Sequence, residues 1–310
     1  MPSTLPRVTI LMCTRNGERH LAEQLASFRA QSHAAWDLWV SDDGSTDGTL
    51  APLEAFRAEE SGRREVRLLS GPRRGVTANY LSLLCHPELP AGPVALSDQD
   101  DVWLPGKLER ALDWLDSAGT VSVYGAQSWH TDAALEVIGR SSAPPRGPSF
   151  GNALVQNIVS GHSACLDAGA LALVRRAGIP EPLPPYHDWW LYLLVSGAGG
   201  QVRIDPEPML RYRQHGTNTL GAHRGPSARL RRAAMLLGRT YGDWVARNLA
   251  ALEQVSDCLA PEHAATVAAL RATSRRPGPA RPRALARAGA RRQTGLTTAA
   301  LYLAAWLGRV

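Results

Sequence analysis

Residues 93–101 of this sequence read PVALSDQDD. An apolar run, typical of a buried strand, passes directly into Asp98, Asp100 and Asp101. Clustered carboxylates raise each other's pKa unless a cation or a hydrogen-bond donor neutralises them. Their oxygens suit Mg²⁺ or Mn²⁺, which predicts a cation site at the end of this strand. The alternative is a solvated, Asp-rich turn that caps the helix near Lys107.

Strands alternate with helices on the N-terminal side of this segment. Apolar, β-branched runs at residues 8–13, 36–40 and 66–69 are separated by amphipathic segments. This alternation predicts βαβ units and a mostly parallel sheet. The pattern loosens after residue 117, where we predict a strand at 121–124, a hairpin over 129–138, helices at 167–176 and 188–195, and strands at 202–204 and 210–213. The expected fold class is α/β, with a mixed sheet flanked by helices.

The composition is that of a globular protein. The 310 residues are 44% hydrophobic and 20% charged, and the length allows one large domain or two. The N-terminus lacks the pattern of a signal peptide, and no apolar run approaches the ~20 residues of a membrane span. Four cysteines are widely spaced, without a C-x-x-C pair. We expect free thiols in a cytoplasmic protein.

The charge is distributed unevenly. The net charge is +6, yet residues 227–310 hold 14 arginines against four acids. We therefore divide the chain into residues 1–226 and an Arg-rich, helical C-terminal extension, 227–310. A polybasic run followed by the apolar segment 296–307 fits peripheral binding to anionic lipid at the inner face of the membrane. A disordered tail and helices packed in a homodimer are the alternatives. No nucleic-acid-binding module accompanies the charge, so nucleic acid is not an expected partner.

Polar groups follow three of the predicted strands, at the sheet edge where ligands of open α/β folds bind. No G-x-G-x-x-G and no Walker lysine follows the first strand. A bound diphosphate would therefore need a metal ion, which argues against dinucleotide dehydrogenases and P-loop enzymes. The groups at this edge are Thr14, Arg15 and Asn16, then Asp42 and Asp43, then Asp98 to Asp101.

Six segments, in order, carry a resemblance to a known family. The sequence resembles the family 2 glycosyltransferases of the GT-A fold, and within them the bacterial rhamnosyltransferase-like group. The resemblance covers about residues 8–221. The matching segments are TILMCTRNG at 9–17, VSDDGSTDGT at 40–49, GVTANYLSLL at 75–84, LSDQDDVWLPGK at 96–107, HDWWL at 187–191 and RYRQHGTNTLG at 211–221.

The resemblance implies a nucleotide site in residues 1–117. Asp42 or Asp43 would accept a hydrogen bond from a pyrimidine N3–H, and an Asx-turn is the alternative role of this segment. Asp98 would reach the ribose, and Asp100, completed by His215, would hold the metal on the diphosphate. The other implied nucleotide-binding residues are Thr14, Arg15, Asn16, Gly75, Asn79 and Arg213.

The resemblance implies an acceptor site in residues 118–226. Asp188 would be the general base, and His187 stands where the family has a glutamate. A helix N-cap is the alternative role for Asp188. Gly161 and His162 would lie beside the acceptor. Trp189 and Trp190 would either stack on its sugar rings or belong to the core.

The implied activity is inverting, metal-dependent glycosyl transfer in cell-surface polysaccharide synthesis. The donor would be a UDP- or dTDP-linked sugar, and the rhamnosyltransferase-like group suggests rhamnose by analogy. The acceptor would be a glycan or polyprenyl-linked glycan. One alternative, a sugar-nucleotide nucleotidyltransferase, would need a lysine-bearing phosphate loop after the first strand. The other is a non-catalytic nucleotide-sugar-binding relative, which the joint presence of the implied site residues argues against.

Overall fold

The computed structural model describes residues 6–119, 121–214 and 239–310. Its strands are β1 Val8–Thr14, β2 Trp36–Asp42, β3 Val66–Ser70, β4 Val94–Ser97, β5 Val102–Trp103, β6 Ser122–Thr131, β7 Val137–Arg140, β8 Cys165–Leu166 and β9 Gln201–Arg213. The helices of the first two ranges are α1 Glu18–Arg29, α2 Leu50–Glu60, α3 Val76–Leu84, α4 Lys107–Ala118, α5 Phe150–Ala153, α6 Ala168–Ala177 and α7 His187–Gly197. Those of the last range are α8 Arg239–Gln254, α9 Pro261–Ala272, α10 Ala280–Arg287 and α11 Gly295–Trp306, and 3₁₀ turns lie at Gly161–Ser163 and Ser256–Cys258.

The strands form one mixed sheet in the order β3-β2-β1-β4-β8-β6-β9-β5, with β7 paired to β6. Strands β3, β2, β1 and β4 are parallel, so the carboxyl ends of β1, β2 and β4 lie along one edge. The predicted α/β mixed sheet is confirmed. The predicted hairpin is also present as antiparallel β6 and β7.

The two-residue strand β8 joins the halves of the sheet. It pairs antiparallel with both β4 and β6. Just before it, the Ala164 carbonyl accepts a hydrogen bond from the Leu96 amide at 2.8 Å. This pairing sets the 3₁₀ turn Gly161–Ser163 beside the end of β4. A strand of two residues leaves no periodicity to detect, and the sequence did not predict it.

One prediction about the late strands is wrong. Residues 202–204 and 210–213 belong to a single thirteen-residue strand, β9, rather than to two strands. Pro206 and Pro208 lie between the two predicted strands, and proline cannot donate a ladder hydrogen bond. The pairing of β9 with β6 shifts register opposite this segment, and the irregularity accommodates the prolines.

The C-terminal helices are part of the main core. Leu249, Leu270, Leu285 and Leu301 are buried in the same apolar cluster as Trp190 of α7. Arg281 is also buried, and its guanidinium donates to the Leu270 and Val310 carbonyls. The disordered-tail alternative is therefore wrong for residues 239–310. The proposed boundary at 226/227 lies outside the described residues.

Among the helices of the described residues, none combines the length and apolar character needed to cross a bilayer.

We predict that the C-terminal helices unfold together with the sheet. Leu285 on α10 is 0% exposed, and Leu285→Ala should lower the free energy of unfolding by about 2–5 kcal/mol. The control Leu296→Ala removes a side chain that is 84% exposed and should change that free energy by less than about 0.5 kcal/mol. Urea denaturation followed by circular dichroism measures both. Equal midpoints for the two variants would show that α10 is peripheral.

Candidate active site

The loops after β1 and β4 are joined by one side chain. Gln99 accepts a hydrogen bond from the Arg15 amide at 2.8 Å through Oε1 and donates to the Arg15 carbonyl at 3.1 Å through Nε2. Gly17 leaves room for this contact, because a Cβ at residue 17 would lie 2.3 Å from Gln99 Oε1. Arg15 is exposed at this edge. The predicted convergence of the two strand ends is present.

Asp42, at the end of β2, is held by a dense set of hydrogen bonds. Its carboxylate accepts from Thr14 Oγ1 at 2.8 Å, and from the Gly44 and Ser45 amides at 3.1 and 2.8 Å. The last two contacts form the Asx-turn that the sequence left open. Burial raises the pKa of Asp42, but the hydrogen bonds outweigh it and lower that pKa below its usual value. Asn16 joins the same loop, its amide donating to Ser45 Oγ at 2.8 Å.

Asp43 and Asn79 are buried and shape the loop before α3. Asp43 accepts from the Arg73 and Gly75 amides at 2.6 and 2.9 Å. Asn79 donates to the Ser41 carbonyl at 2.9 Å. Gly75 has φ +88°, a conformation that favours glycine. The structure therefore gives Asp43, Gly75 and Asn79 positioning contacts, and Asp42 is the more exposed of the two neighbouring carboxylates.

Asp98, Asp100 and Asp101 after β4, here called the acid cluster, meet His162 from the turn before β8. One ligand atom each from Asp98, Asp101 and His162 lies within 4.8 Å of the others. Burial, and then the charge of Asp100, raises the pKa of Asp98 to about 7. Burial also raises the pKa of Asp101 well above its usual value, and its Oδ2 is buried without a hydrogen-bond partner. Crowded, under-neutralised carboxylates of this kind suit a divalent cation.

His162 was predicted to contact the acceptor and instead stands with the carboxylates. Burial lowers its pKa to about 3, so the imidazole is neutral and able to bind a metal ion. Its ring stacks on Tyr212, with centroids 4.6 Å apart. The predicted metal ligand His215 lies outside the described residues. Asp100 is adjacent to this site but is not one of the three convergent ligands.

Two cations surround the acid cluster. Lys107 is fully buried, with Nζ 3.3 Å from the centre of the Trp103 ring. Burial lowers the pKa of Lys107 to about 8, against the opposing pull of Asp101 and Asp98. Arg213 was predicted to bind nucleotide, but its guanidinium contacts Glu23 and the Asp100 carbonyl, the latter at 3.1 Å. These contacts make Arg213 a residue that positions the Asp100 backbone.

Asp188 lies in the first turn of α7, and Tyr186 occupies the N-cap position. The N-cap alternative is therefore wrong. The Asp188 carboxylate accepts from the Trp189 amide at 2.7 Å and from the Gly161 amide at 3.1 Å. Burial raises its pKa to about 6 in spite of these bonds and one from Asn157. The charge of Asp188 also raises the pKa of Asp98, so the implied base and the acid cluster belong to one site.

Tyr80 and His187 support this site from α3 and α7. The Tyr80 hydroxyl donates to the Ser97 carbonyl at 2.6 Å and to Asp98 Oδ1 at 3.1 Å. The His187 ring stacks on Tyr80 at 4.0 Å between centroids. Gly161 is necessary here, because a Cβ would lie 2.6 Å from His187 Nε2. His187 thus packs beneath the site, where the resembled family has a glutamate.

Trp189 and Trp190 lie in the core. Trp189 is 3% exposed and donates through Nε1 to the Ala153 carbonyl, and Trp190 is 0% exposed. Neither ring presents a face to an acceptor sugar. Of the two roles that the sequence left open, the structure supports packing.

The sequence did not identify several residues of this site. Gln99 stands inside the quoted acidic segment, and Tyr80 inside a family-like segment, so their positions were visible but their contacts were not. Asn157 belongs to none of the motifs that the sequence analysis singled out. Lys107 is the only lysine in the sequence and was considered only as the end of a turn.

Comparison with known proteins places the chain among sugar-transferring enzymes. A model of glycosyl transferase family 2 matches residues 9–179. The chain is 24% identical over 235 residues to the dTDP-rhamnosyl transferase RfbG of Shigella flexneri, covering 74% of this chain and 80% of that protein. It is 26% identical over 191 residues to the UDP-Glc:alpha-D-GlcNAc-diphosphoundecaprenol beta-1,3-glucosyltransferase WfgD of Escherichia coli, covering 61% and 69%.

Solved structures show the same fold. TarS of S. aureus in complex with UDP-GlcNAc has a TM-score of 0.56 at 15% identity, over 86% of this chain and 72% of that one. The mannosyltransferase PcManGT from Pyrobaculum calidifontis, in complex with GDP-Man and Mn²⁺, has a TM-score of 0.53 at 21% identity, over 98% and 87%.

The mixed sheet flanked by helices is that of the GT-A glycosyltransferases. The match over residues 9–179 is more specific: the chain belongs to glycosyl transferase family 2 and is an enzyme of the transferase class.

We predict that Mn²⁺ stabilises this protein in a pH-dependent way. The pKa of Asp98 is raised from 3.8 to about 7, so the metal-free protein loses stability as the pH rises between these values and Asp98 ionises; a divalent cation would offset that cost. The thermal midpoint should rise by several degrees with Mn²⁺ at pH 8 and by less at pH 6, where protons compete. Differential scanning fluorimetry measures this shift.

The matched variant Asp101→Asn keeps the shape of the buried side chain but cannot ionise. It should leave the metal-free midpoint equal or higher and lose most of the response to Mn²⁺. An identical response in wild type and Asp101→Asn would remove Asp101 from the cation site.

Proposed function

We propose that this protein is an inverting, metal-dependent glycosyltransferase. In this proposal it moves a sugar from a UDP- or dTDP-linked donor to a hydroxyl of a glycan or lipid-linked glycan during cell-surface polysaccharide synthesis. The observation that carries the proposal is the position of Asp188. A carboxylate with a raised pKa, fixed by two backbone amides, stands beside a buried acid cluster that suits a cation on a diphosphate.

In the donor site, Asp42 is the candidate for the pyrimidine N3–H. Its carboxylate is ionised and is oriented by its hydrogen bonds, and the nucleotide N3–H would take the place of one of the two hydroxyl donors, Thr14 or Ser45. The exposed Arg15 and Asn16 lie across the same edge, within reach of the nucleotide. Thr14 acts indirectly, since its hydroxyl orients Asp42.

Asp98, Asp101 and His162 would hold the divalent ion, with Asp100 and His215 as further proposed ligands. When bound, such an ion would neutralise the charge that develops on the departing nucleoside diphosphate. The residues around it keep the ligands in place: Tyr80 fixes Asp98, and Arg213 fixes the Asp100 backbone. Lys107 adds a fixed positive charge behind the carboxylates.

Asp188 would remove the proton from the attacking acceptor hydroxyl. With a pKa of about 6 the carboxylate is ionised at pH 7, yet it is a stronger base than an ordinary aspartate. The Gly161 and Trp189 amides hold it in one orientation, so its free lone pairs can receive the proton. One base acting on the acceptor, without a covalent intermediate, corresponds to inversion at the sugar carbon.

The relatives support the proposed donor class. RfbG is a dTDP-rhamnosyl transferase, WfgD uses UDP-Glc, and TarS was solved with UDP-GlcNAc. Rhamnose from dTDP-rhamnose is the first donor to test, and the diphosphoundecaprenol-linked substrate in the name of WfgD supports a lipid-linked acceptor. The four free cysteines support a cytoplasmic location. Family membership disfavours the nucleotidyltransferase alternative.

A donor screen tests the proposal directly. We expect UDP- or dTDP-sugars, but not GDP-sugars, to raise the thermal midpoint in the presence of Mn²⁺. Asp42→Ala should lose most of that preference, because it removes the acceptor for the pyrimidine N3–H. An equal response to GDP-linked and pyrimidine-linked sugars in the wild type would contradict the role of Asp42.

Replacement of the base separates binding from chemistry. Asp188→Asn should keep donor affinity while lowering turnover by about 10²–10⁴-fold. In the wild type, kcat should rise with pH through about 6, as Asp188 loses its proton, and this rise should be missing in Asp188→Asn. Product formation from the accepted donor, measured from pH 5 to 8, checks both. Unchanged turnover in the variant would remove Asp188 from the mechanism.

A further inference from the structure

Helix α11 is apolar on the side that solvent contacts as well as on the side that the core contacts. Leu301, Ala304 and Ala305 pack into the core. Four large apolar residues at the other face are exposed. They are Leu296 at 84%, Leu303 at 55%, Trp306 at 53% and Leu307 at 43%, here called the apolar stripe.

The spacing of the stripe makes it one continuous surface. Leu303 follows Leu296 by seven residues, and Trp306 and Leu307 follow Leu303 by three and four residues. These intervals place the side chains along one face of a helix. Of the nine large hydrophobic residues exposed in the described part of the chain, four lie in this stripe. A contiguous exposed patch of this kind marks an interaction surface.

The chain around the stripe is strongly basic. No acid follows Glu262 in the sequence. The turn at residues 275–278 packs against the end of α11, where the Gly278 amide donates to the Trp306 carbonyl at 2.8 Å. Near the middle of α11, the Tyr302 hydroxyl donates to the Ala290 carbonyl at 3.1 Å. These contacts, and the packing of α10 against α11, place beside α11 the segments that carry exposed arginines: Arg276, Arg283, Arg287, Arg291 and Arg309.

We propose that the apolar stripe of α11 and its surrounding arginines dock this protein on an anionic lipid surface. A helix of twelve residues is about 18 Å long, which is too short to cross a hydrocarbon core of about 30 Å. Such a helix lies in the plane of the interface, with its apolar side chains among the acyl chains and its basic neighbours at the headgroups. Apolar insertion and electrostatic attraction then act together.

Charge distinguishes lipid from a second copy of the chain. An isologous dimer through the stripe would place each patch of arginines against the same patch of its partner. The acid-free stretch after Glu262 would then repel itself. An anionic membrane presents the opposite charge, so the same arginines are favourable there.

The docking surface is connected to the acceptor side of the proposed active site. Just before α11, the Gln293 amide donates to Gln156 Oε1 at 2.9 Å, and Arg292 donates to the Val155 carbonyl at 3.1 Å. The next residue along that loop, Asn157, hydrogen-bonds to Asp188. Helix α11 is therefore linked through this loop to the segment that contacts the proposed base. The inference goes beyond the proposed function, since lipid binding requires no transfer.

The test is co-sedimentation of the full chain with vesicles. We expect binding to vesicles of phosphatidylcholine with 30 mol% phosphatidylglycerol, weak binding to pure phosphatidylcholine, and a decrease with salt. The double variant Leu303→Gln/Trp306→Gln should lower the partition coefficient at least about tenfold. Arg276→Gln/Arg283→Gln/Arg287→Gln should lower it by a similar factor on anionic vesicles and leave the weak binding to phosphatidylcholine unchanged.

Matched controls separate the surface from general effects. Leu50 on α2 is 48% exposed, and Leu50→Gln should sediment as the wild type does. Arg63→Gln, at an exposed arginine after α2, controls for charge. Thermal midpoints and donor binding verify that each variant is folded, and donor binding also separates failure here from failure of the proposed function.

Two results would overturn the proposal. One is sedimentation of Leu303→Gln/Trp306→Gln equal to that of the wild type. The other is a wild-type protein that does not bind vesicles but is a dimer in light scattering, and that becomes a monomer in Leu303→Gln/Trp306→Gln. That result would assign the stripe to a second copy of the chain.

Discussion

The repulsion among buried carboxylates at the end of β4 is the constraint on which the rest of the site depends. Burial and mutual charge raise the pKa of both Asp98 and Asp101. A site of this kind is costly in a protein that does not use it, because each ionised group lacks a full set of partners. The surrounding elements hold the acids together from several directions. Tyr80 binds Asp98 from α3, and Arg213 binds the Asp100 backbone from β9.

The mixed half of the sheet brings the proposed base, Asp188, to these acids. Strand β8 pairs with β4 and β6 at once, which places the turn Gly161–Ser163 between the acid cluster and α7. That turn contributes an imidazole to the acids through His162, and a backbone amide to Asp188 through Gly161. One short turn thus connects the cation site to the proposed base, although the residues involved are far apart in the sequence.

The sequence predicted the parallel half of the fold and the convergence of its strand ends, because apolar periodicity and polar strand ends are local signals. It did not reveal which way the side chains point. Asp43 and Asn79 turn inward to loop amides and to Ser41, while Asp42 faces the edge. The Arg213 guanidinium donates to Glu23 and to the Asp100 carbonyl, and the residue type alone does not predict these partners. The basic composition suggested a separate tail, but residues such as Leu285 and Arg281 are buried by long-range packing.

The burial of Lys107 has a practical consequence. It carries the only side-chain amine in the sequence, and it is 0% exposed behind the acid cluster. Acylating reagents should therefore leave Lys107 intact in the folded protein. Any acyl group found on Lys107 then records an opening of the interior, which makes it a built-in reporter of transient unfolding around the catalytic edge.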